Sequence, residues 1–140
     1  MLILDTSGVF AAADRSAPEH LAARKVLDNE TGGVVLSPFV LAEVDYMLMT
    51  RIGVRAELDF LREVGRGVYD LVPVTRYEVE RAAEIIGRYG DMQVGLADAS
   101  VALLAARHET TRVLTLDQRH FRAMKPLWGE AFTVLPADAN

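Results

Sequence analysis

Residues 1–7 read MLILDTS, a short apolar run that ends in an aspartate and two hydroxyl side chains. Residues 112–117 read RVLTLD and place Asp117 at the end of a second apolar run. Short runs rich in Leu, Ile and Val, bounded by Gly, Pro, Ser or Asp, are typical of buried strands. The sequence predicts five such strands, over residues 2–4, 34–36, 71–74, 112–116 and 132–135.

Longer stretches with helical spacing of apolar residues lie between these strands. The predicted helices cover residues 20–29, 38–51, 54–64, 77–89 and 96–108. Strands that alternate with helices imply a parallel sheet with helices on both faces. The expected fold class is therefore α/β, with three α/β/α layers around a central, mainly parallel sheet in a single domain.

Length and composition agree with one folded domain. The chain has 140 residues, of which 51% are hydrophobic and 25% charged, so disorder and a second folded domain are both unexpected. We expect the domain to cover residues 1–136 and a loose C-terminal tail to cover residues 137–140. No apolar run approaches the roughly 18 residues that a membrane helix needs, and no basic leader precedes Asp5, so a cytoplasmic protein without membrane contact is expected.

Charge and cysteine content exclude several kinds of function. The net charge of −5 argues against nonspecific coating of nucleic acid, so any contact with nucleic acid must be local. The chain has no cysteine, which rules out disulfides, thiolate nucleophiles and zinc or iron–sulfur sites with cysteine ligands.

Two acids end predicted strands, and two others lie in predicted helices. Asp5 and Asp117 follow strands, where ligands of parallel sheets gather, although each could instead cap the next helix. Glu43 and Asp98 lie in two predicted helices that are apolar on nearly every face. Both helices are therefore expected to be mostly buried. Asp98 could be paired with an arginine or could cap its own helix. Asp45, about 200° around the helix from Glu43, is expected to be exposed or paired with an arginine.

The four acids together favour a metal site. Clustered carboxylates repel one another at neutral pH unless a cation lies among them. Oxygen ligands without histidine or cysteine suit hard ions such as Mg²⁺ or Mn²⁺. Such ions serve phosphoryl transfer, because they activate water and stabilise the charge that develops on the phosphate.

The residues around these acids carry a resemblance to a known family. The motifs are LDTS at residues 4–7, LSPFVLAEV at 36–44, LADA at 96–99 and LTLDQRHF at 114–121. In their order and separation they resemble, over essentially the whole chain, the PIN-domain ribonucleases, and among these the VapC-type toxins of bacterial toxin–antitoxin pairs. The resemblance implies a PIN-like nuclease domain over residues 1–136.

The same resemblance implies an activity and its partners. The expected activity is metal-dependent endonucleolytic hydrolysis of RNA that leaves 5′-phosphate and 3′-hydroxyl ends. Relatives of this type act as homodimers and are silenced by a cognate, VapB-like antitoxin. By resemblance, Asp5, Glu43 and Asp98 bind Mg²⁺ or Mn²⁺, and Asp117 completes the acidic, catalytic site.

Further residues receive supporting roles from the resemblance or from their position. The hydroxyls of Thr6, Ser7 and Thr115 would orient the carboxylates or bond to a phosphate oxygen. Arg119 and Arg122 could contact phosphate, or could simply form a solvated helix face. The alternative to the enzyme is a PIN-like module that binds RNA or an antitoxin without cutting, and an intact set of four acids argues against it.

Overall fold

A computed structural model describes residues 1–139, which form five strands and seven α-helices. All strand pairings are parallel, and the strand order in the sheet is β3-β2-β1-β4-β5. The strands are β1 (Leu2–Leu4), β2 (Val34–Leu36), β3 (Asp70–Leu71), β4 (Arg112–Leu114) and β5 (Thr133–Leu135). The first strand of the chain is thus the central strand of the sheet.

Helices cover both faces of this sheet. Leu2, Ile3 and Leu4 are all fully buried, although successive side chains of a strand point to opposite faces. The helices are α1 (Thr6–Ala13), α2 (His20–Asn29), α3 (Pro38–Arg51), α4 (Val54–Gly65), α5 (Arg76–Arg88), α6 (Leu96–Arg107) and α7 (Gln118–Ala123). The prediction of a single-domain, three-layer α/β/α fold is therefore confirmed.

The predicted helix boundaries agree with the structure to within one residue. The strand prediction was wrong at 71–74, because β3 has only two residues and ends before Pro73, which lacks the N–H that a continuing strand would donate. Two helices were not predicted. Helix α1 starts directly after β1 with small residues and little apolar periodicity, and α7 has only six residues.

Helix α3 is more exposed than its sequence predicts. Only one row of its side chains, Val40, Val44 and Leu48, is fully buried. Tyr46 is 63% exposed and Met49 is 46% exposed, so the opposite face of the helix presents apolar surface to solvent. The expectation of a mostly buried helix was therefore wrong, because the apolar residues of α3 exceed what one packed face can cover.

Asp45 pairs with no arginine among residues 1–139, although an arginine partner was one of the two expectations from the sequence. It is half-buried, and its Oδ1 atom has no hydrogen-bond partner in that part of the chain. Its neighbour across the α3–α4 contact is Glu57, and the nearby Asp45 carboxyl group, together with burial, raises the pKa of Glu57.

A glycine sets the distance between α1 and the sheet. A Cβ atom on Gly8 would lie 2.4 Å from the carbonyl oxygen of Leu114 in β4. Only glycine allows the helix backbone to approach the strand so closely. The start of α1, and with it Asp5, is thereby held against the end of β4.

The C-terminal residues that the structure describes are bonded to the domain. The Asp138 carboxylate accepts hydrogen bonds from the Arg122 guanidinium at 2.8 Å and from the Val134 N–H at 2.8 Å. Residue 140 of the predicted tail lies outside the described residues, and the boundary at residue 136 stays a prediction. No helix between residues 1 and 139 is long and apolar enough to cross a membrane.

Candidate active site at the carboxyl edge of the sheet

Asp5 lies at the end of the central strand and is only 3% exposed. It occupies the N-cap position of α1, but its side chain makes no capping hydrogen bond. Instead, its Oδ2 atom accepts hydrogen bonds from the Thr115 hydroxyl at 2.7 Å and the Ser7 hydroxyl at 3.3 Å. The alternative that this carboxylate caps the helix was therefore wrong.

The two hydroxyls that hold Asp5 also join the ends of β1 and β4. Thr115 Oγ1 accepts a hydrogen bond from the Asp117 N–H at 2.9 Å, and Ser7 Oγ accepts one from the Leu116 N–H at 2.8 Å. The two hydroxyl oxygens are 3.1 Å apart. Thr115 donates its single hydroxyl proton to Asp5. Because Thr115 and Ser7 are themselves held by these backbone N–H groups, they fix the orientation of the Asp5 carboxylate.

Glu43 comes to the same edge from the second turn of α3. Its side chain is exposed, and its Oε1 atom accepts a hydrogen bond from the Thr6 hydroxyl at 2.7 Å. Thr6 directly follows Asp5 in the sequence, so this bond ties Glu43 to the start of α1. This hydrogen bond is the contact through which Thr6 would orient the Glu43 carboxylate, as the sequence predicts.

A buried pair of serines sets the position of α3 relative to α6. Ser37 Oγ accepts from the Phe39 N–H at 3.1 Å, which is the helix cap that the Ser37–Pro38 sequence favours. Ser37 and Ser100 are 2.7 Å apart, and the Ser100 hydroxyl also donates to the Ala97 carbonyl at 2.7 Å. Because a carbonyl can only accept, Ser100 donates to Ala97, and Ser37 donates to Ser100. This order of donors links the helices that carry Glu43 and Asp98.

Asp98 and Asp117 both cap helices. Asp98 Oδ2 accepts from the Gly95 N–H at 3.2 Å, and Asp117 Oδ1 accepts from the His120 N–H at 3.0 Å. The capping alternative is thus confirmed for these two acids. The arginine partner suggested for Asp98 was wrong, since the basic side chain beside it among residues 1–139 is that of His120.

His120 is a residue of the site that the sequence analysis did not place there. Its Nε2 atom donates to the Met92 carbonyl at 2.7 Å. Its Nδ1 atom lies 2.7 Å from Asp117 Oδ2 and 3.3 Å from Asp98 Oδ2. The available signal was its spacing of three residues from Asp117, which places both side chains on one face of a short helix.

The pKa values show that the acids act on one another. Burial raises the pKa of Asp5 to about 7, against the opposing hydrogen bond from Thr115, and the charges of Asp98 and Asp117 raise it further. Burial also raises the pKa of Asp98, and the charges of Asp117 and Glu43 contribute in the same direction. The four acids predicted from the sequence are therefore brought together at one edge of the sheet.

This set of side chains fits a divalent cation. One ligand atom each from Asp98, Asp117 and His120 lies within 4.8 Å of the others, and Asp5 and Glu43 are close enough to repel them. A cation at the centre would offset both the burial of negative charge and the repulsion between carboxylates, which together raise these pKa values. Carboxylate oxygens are the ligands that Mg²⁺ and Mn²⁺ prefer.

The two arginines predicted to contact phosphate differ in their surroundings. Arg122 donates to Asp138, and this ion pair raises its own pKa and lowers that of Asp138. Arg119 is exposed and forms no ion pair with any other residue between 1 and 139. Of these two arginines, only Arg119 could bind a ligand without first losing an ion pair.

Four acids at the carboxyl edge of a parallel α/β/α sheet define a PIN-type domain. No protein-family model matches the chain. It is 44% identical over 135 residues to Ribonuclease VapC26 of Mycobacterium tuberculosis, across 96% of this chain and 100% of that protein. The chain belongs to the VapC family of PIN-domain ribonuclease toxins.

Solved structures agree on the fold. The chain is similar to the crystal structure of Mycobacterium tuberculosis VapC20, a sarcin-ricin loop cleaving toxin, with a TM-score of 0.78 and 22% identity over 84% of this chain and 90% of that one. It is also similar to FitAcB from Neisseria gonorrhoeae, with a TM-score of 0.53 and 16% identity over 79% of this chain and 84% of that one. At these identities the likeness concerns the fold alone.

Proposed function

We propose that this protein is an endoribonuclease toxin that depends on Mg²⁺ or Mn²⁺ held by Asp5, Glu43, Asp98 and Asp117. The observation that carries the metal dependence is the convergence of these acids from four separate elements, with two raised pKa values. Membership of the VapC family supports RNA as the substrate. A divalent ion at this site would activate water and stabilise the negative charge on the phosphate.

The residues around the acids prepare the site for that ion. Thr115 and Ser7 hold Asp5 through hydroxyl hydrogen bonds, and Thr6 holds Glu43 in the same way. Such bonds fix the direction of a carboxylate before the ion binds, which lowers the entropy lost on binding. We assign these three hydroxyls an orienting role.

Arg119 is the proposed phosphate contact. It is exposed two residues after Asp117, and its guanidinium can bind a phosphate through two parallel hydrogen bonds. Arg122 is held by Asp138, which supports a structural role for it.

The proposal extends to partners, location and domain extent. A VapC-family toxin is expected to bind a cognate antitoxin, and the exposed apolar side chains of Tyr46 and Met49 on α3 support a protein partner, either an antitoxin or a second copy in a homodimer. Action on RNA is consistent with a cytoplasmic location. We assign the nuclease domain to residues 1–136.

The rival function is a PIN-like module that binds RNA or an antitoxin without cutting. The loss of one ligand would be its simplest signature. All four acids are present and converge, which supports cleavage over simple binding.

The test is cleavage of total bacterial RNA by purified protein freed of any antitoxin, with Mg²⁺, Mn²⁺ or a chelator, followed by sequencing of the fragment ends. We expect metal-dependent cuts with 5′-phosphate ends, reduced by orders of magnitude in Asp98→Asn. Asp91→Asn, at an exposed position outside the acidic cluster, is the matched control and should cut normally. Equal cutting by Asp98→Asn, or undiminished cutting in chelator, would refute the metal assignment.

A further inference from the structure

His120 places a buried nitrogen atom between two of the proposed metal ligands. Its Nδ1 atom is almost inaccessible to solvent and makes no hydrogen bond within the described residues 1–139, although carboxylate oxygens of Asp117 and Asp98 lie 2.7 and 3.3 Å away. An orphaned polar atom in such surroundings is unusual, because buried polar atoms are nearly always paired.

The other ring nitrogen decides which form the imidazole takes. Nε2 lies 2.7 Å from the Met92 carbonyl, which can only accept, so Nε2 carries a proton. In the neutral ring, Nδ1 then presents a lone pair toward two carboxylates. This arrangement is repulsive unless a cation lies between the lone pair and the carboxylates or a second proton occupies Nδ1. A ring N–H that donates to a backbone carbonyl is also how metal-binding histidines are oriented.

The distances and directions fit ligands of one ion. Neighbouring ligands of an octahedral ion with bonds of about 2.1 Å are about 3.0 Å apart, close to the separations of 2.7 and 3.3 Å. In an octahedral site, the line from one ligand atom to the ion and the line from that atom to an adjacent ligand atom form an angle of about 45°. Oxygens placed off the axis of Nδ1 in this way are near it without forming a hydrogen bond, as the structure has them.

We propose that His120 binds the divalent ion through Nδ1, beside Asp98 and Asp117, so that the site is mixed nitrogen–oxygen rather than purely carboxylate. This proposal rests on the metal-dependent function proposed above. A nitrogen ligand favours Mn²⁺ over Mg²⁺, because Mg²⁺ prefers oxygen and transition metals accept imidazole. The contact with Met92 also joins the segment before α6 to the metal ligands.

The competing arrangement is an ion pair. A doubly protonated His120 would hold Asp98 and Asp117 together without touching the metal. In that case its removal would change the affinities for Mg²⁺ and Mn²⁺ by similar factors, and no nitrogen would be bonded to the ion.

Pulsed electron paramagnetic resonance of the Mn²⁺-loaded wild-type protein separates the two arrangements without any mutation. We expect a hyperfine coupling from a directly bound nitrogen, and we expect it to change to the ¹⁵N pattern when only histidine is labelled. His120→Gln should abolish the coupling. His108→Gln is the matched control and should keep it, because His108 Nδ1 bonds to its own helix at the Leu104 carbonyl.

Calorimetric titration provides a second readout. His120→Gln should weaken Mn²⁺ binding by about tenfold or more and Mg²⁺ binding by a smaller factor. Binding of Mn²⁺ that needs Asp98 but shows no nitrogen coupling would overturn the role of His120 and leave the proposed function intact. Failure of the wild-type protein to bind Mn²⁺, or equal binding by Asp98→Asn, would overturn both.

Discussion

Replacement of Asp5 by asparagine should stabilise the metal-free protein while removing its activity. Burial raises the pKa of Asp5 from 3.8 to about 7, so between these values the folded state binds a proton that the unfolded state has released. The stability of the wild type therefore falls as the pH rises from about 4 to about 7, and stays low above that range. At about 1.4 kcal/mol per pH unit, the ionised carboxylate destabilises the fold by about 4 kcal/mol at pH 8.

Asparagine has nearly the same shape, can accept the hydrogen bonds from Thr115 and Ser7, and carries no charge. In chelator at pH 8, Asp5→Asn should therefore melt about 10 °C or more above the wild type, and the difference should vanish near pH 4. The assay is thermal unfolding followed by circular dichroism from pH 4 to 8, with Asp91→Asn as the control for an exposed acid. A lower melting temperature for Asp5→Asn at pH 8, or a difference that does not depend on pH, would show that the ionised Asp5 carboxylate does not destabilise the fold.

Three further predictions concern the metal and the packing. Saturating Mn²⁺ at about 100 times its dissociation constant should stabilise the wild type by about 2.7 kcal/mol in thermal unfolding, and an equal gain in Asp98→Asn would count against a shared ion site. Gly8→Ala should lower the free energy of unfolding by about 1–3 kcal/mol in urea titrations, because its Cβ would meet the Leu114 carbonyl. Gly87→Ala is the control, and it should raise the free energy of unfolding by up to about 1 kcal/mol because open space surrounds Gly87. Similar effects of the two substitutions would exclude the close contact as the cause. Ser100→Ala should lower the same free energy by about 1–3 kcal/mol because the buried Ser37 hydroxyl would lose the acceptor of its proton, and an unchanged urea midpoint would contradict the proposed order of donors.

The sequence predicted the sheet and most of the helices because their signals are local. Runs such as residues 2–4 and 34–36 are apolar throughout, as strands covered on both faces must be, and Ser37–Pro38 carries its own helix start. Helix α7 escaped prediction because six residues do not show a period. The exposure of Tyr46 could not be foreseen either, since periodicity does not tell how much of an apolar helix its neighbours cover.

The same distinction applies to the site. Asp5 and Asp117 could be placed at one edge because parallel strands end on the same side, and the structure brings them together with Asp98. The position of His120 depends on contacts with residues 22 and 28 positions earlier in the chain, Asp98 and Met92. Such contacts depend on tertiary packing, which no pattern within residues 114–121 reports.

The order of the strands has a consequence for how this toxin becomes active during synthesis. The central strand β1 is made first, yet one of its two neighbours, β4, lies about 110 residues later in the chain. Asp5 receives its hydroxyl partner Thr115 only when that strand has been added. The site therefore cannot assemble until the segment that carries Thr115 has been synthesised, so catalytic competence arises late in the synthesis of this domain.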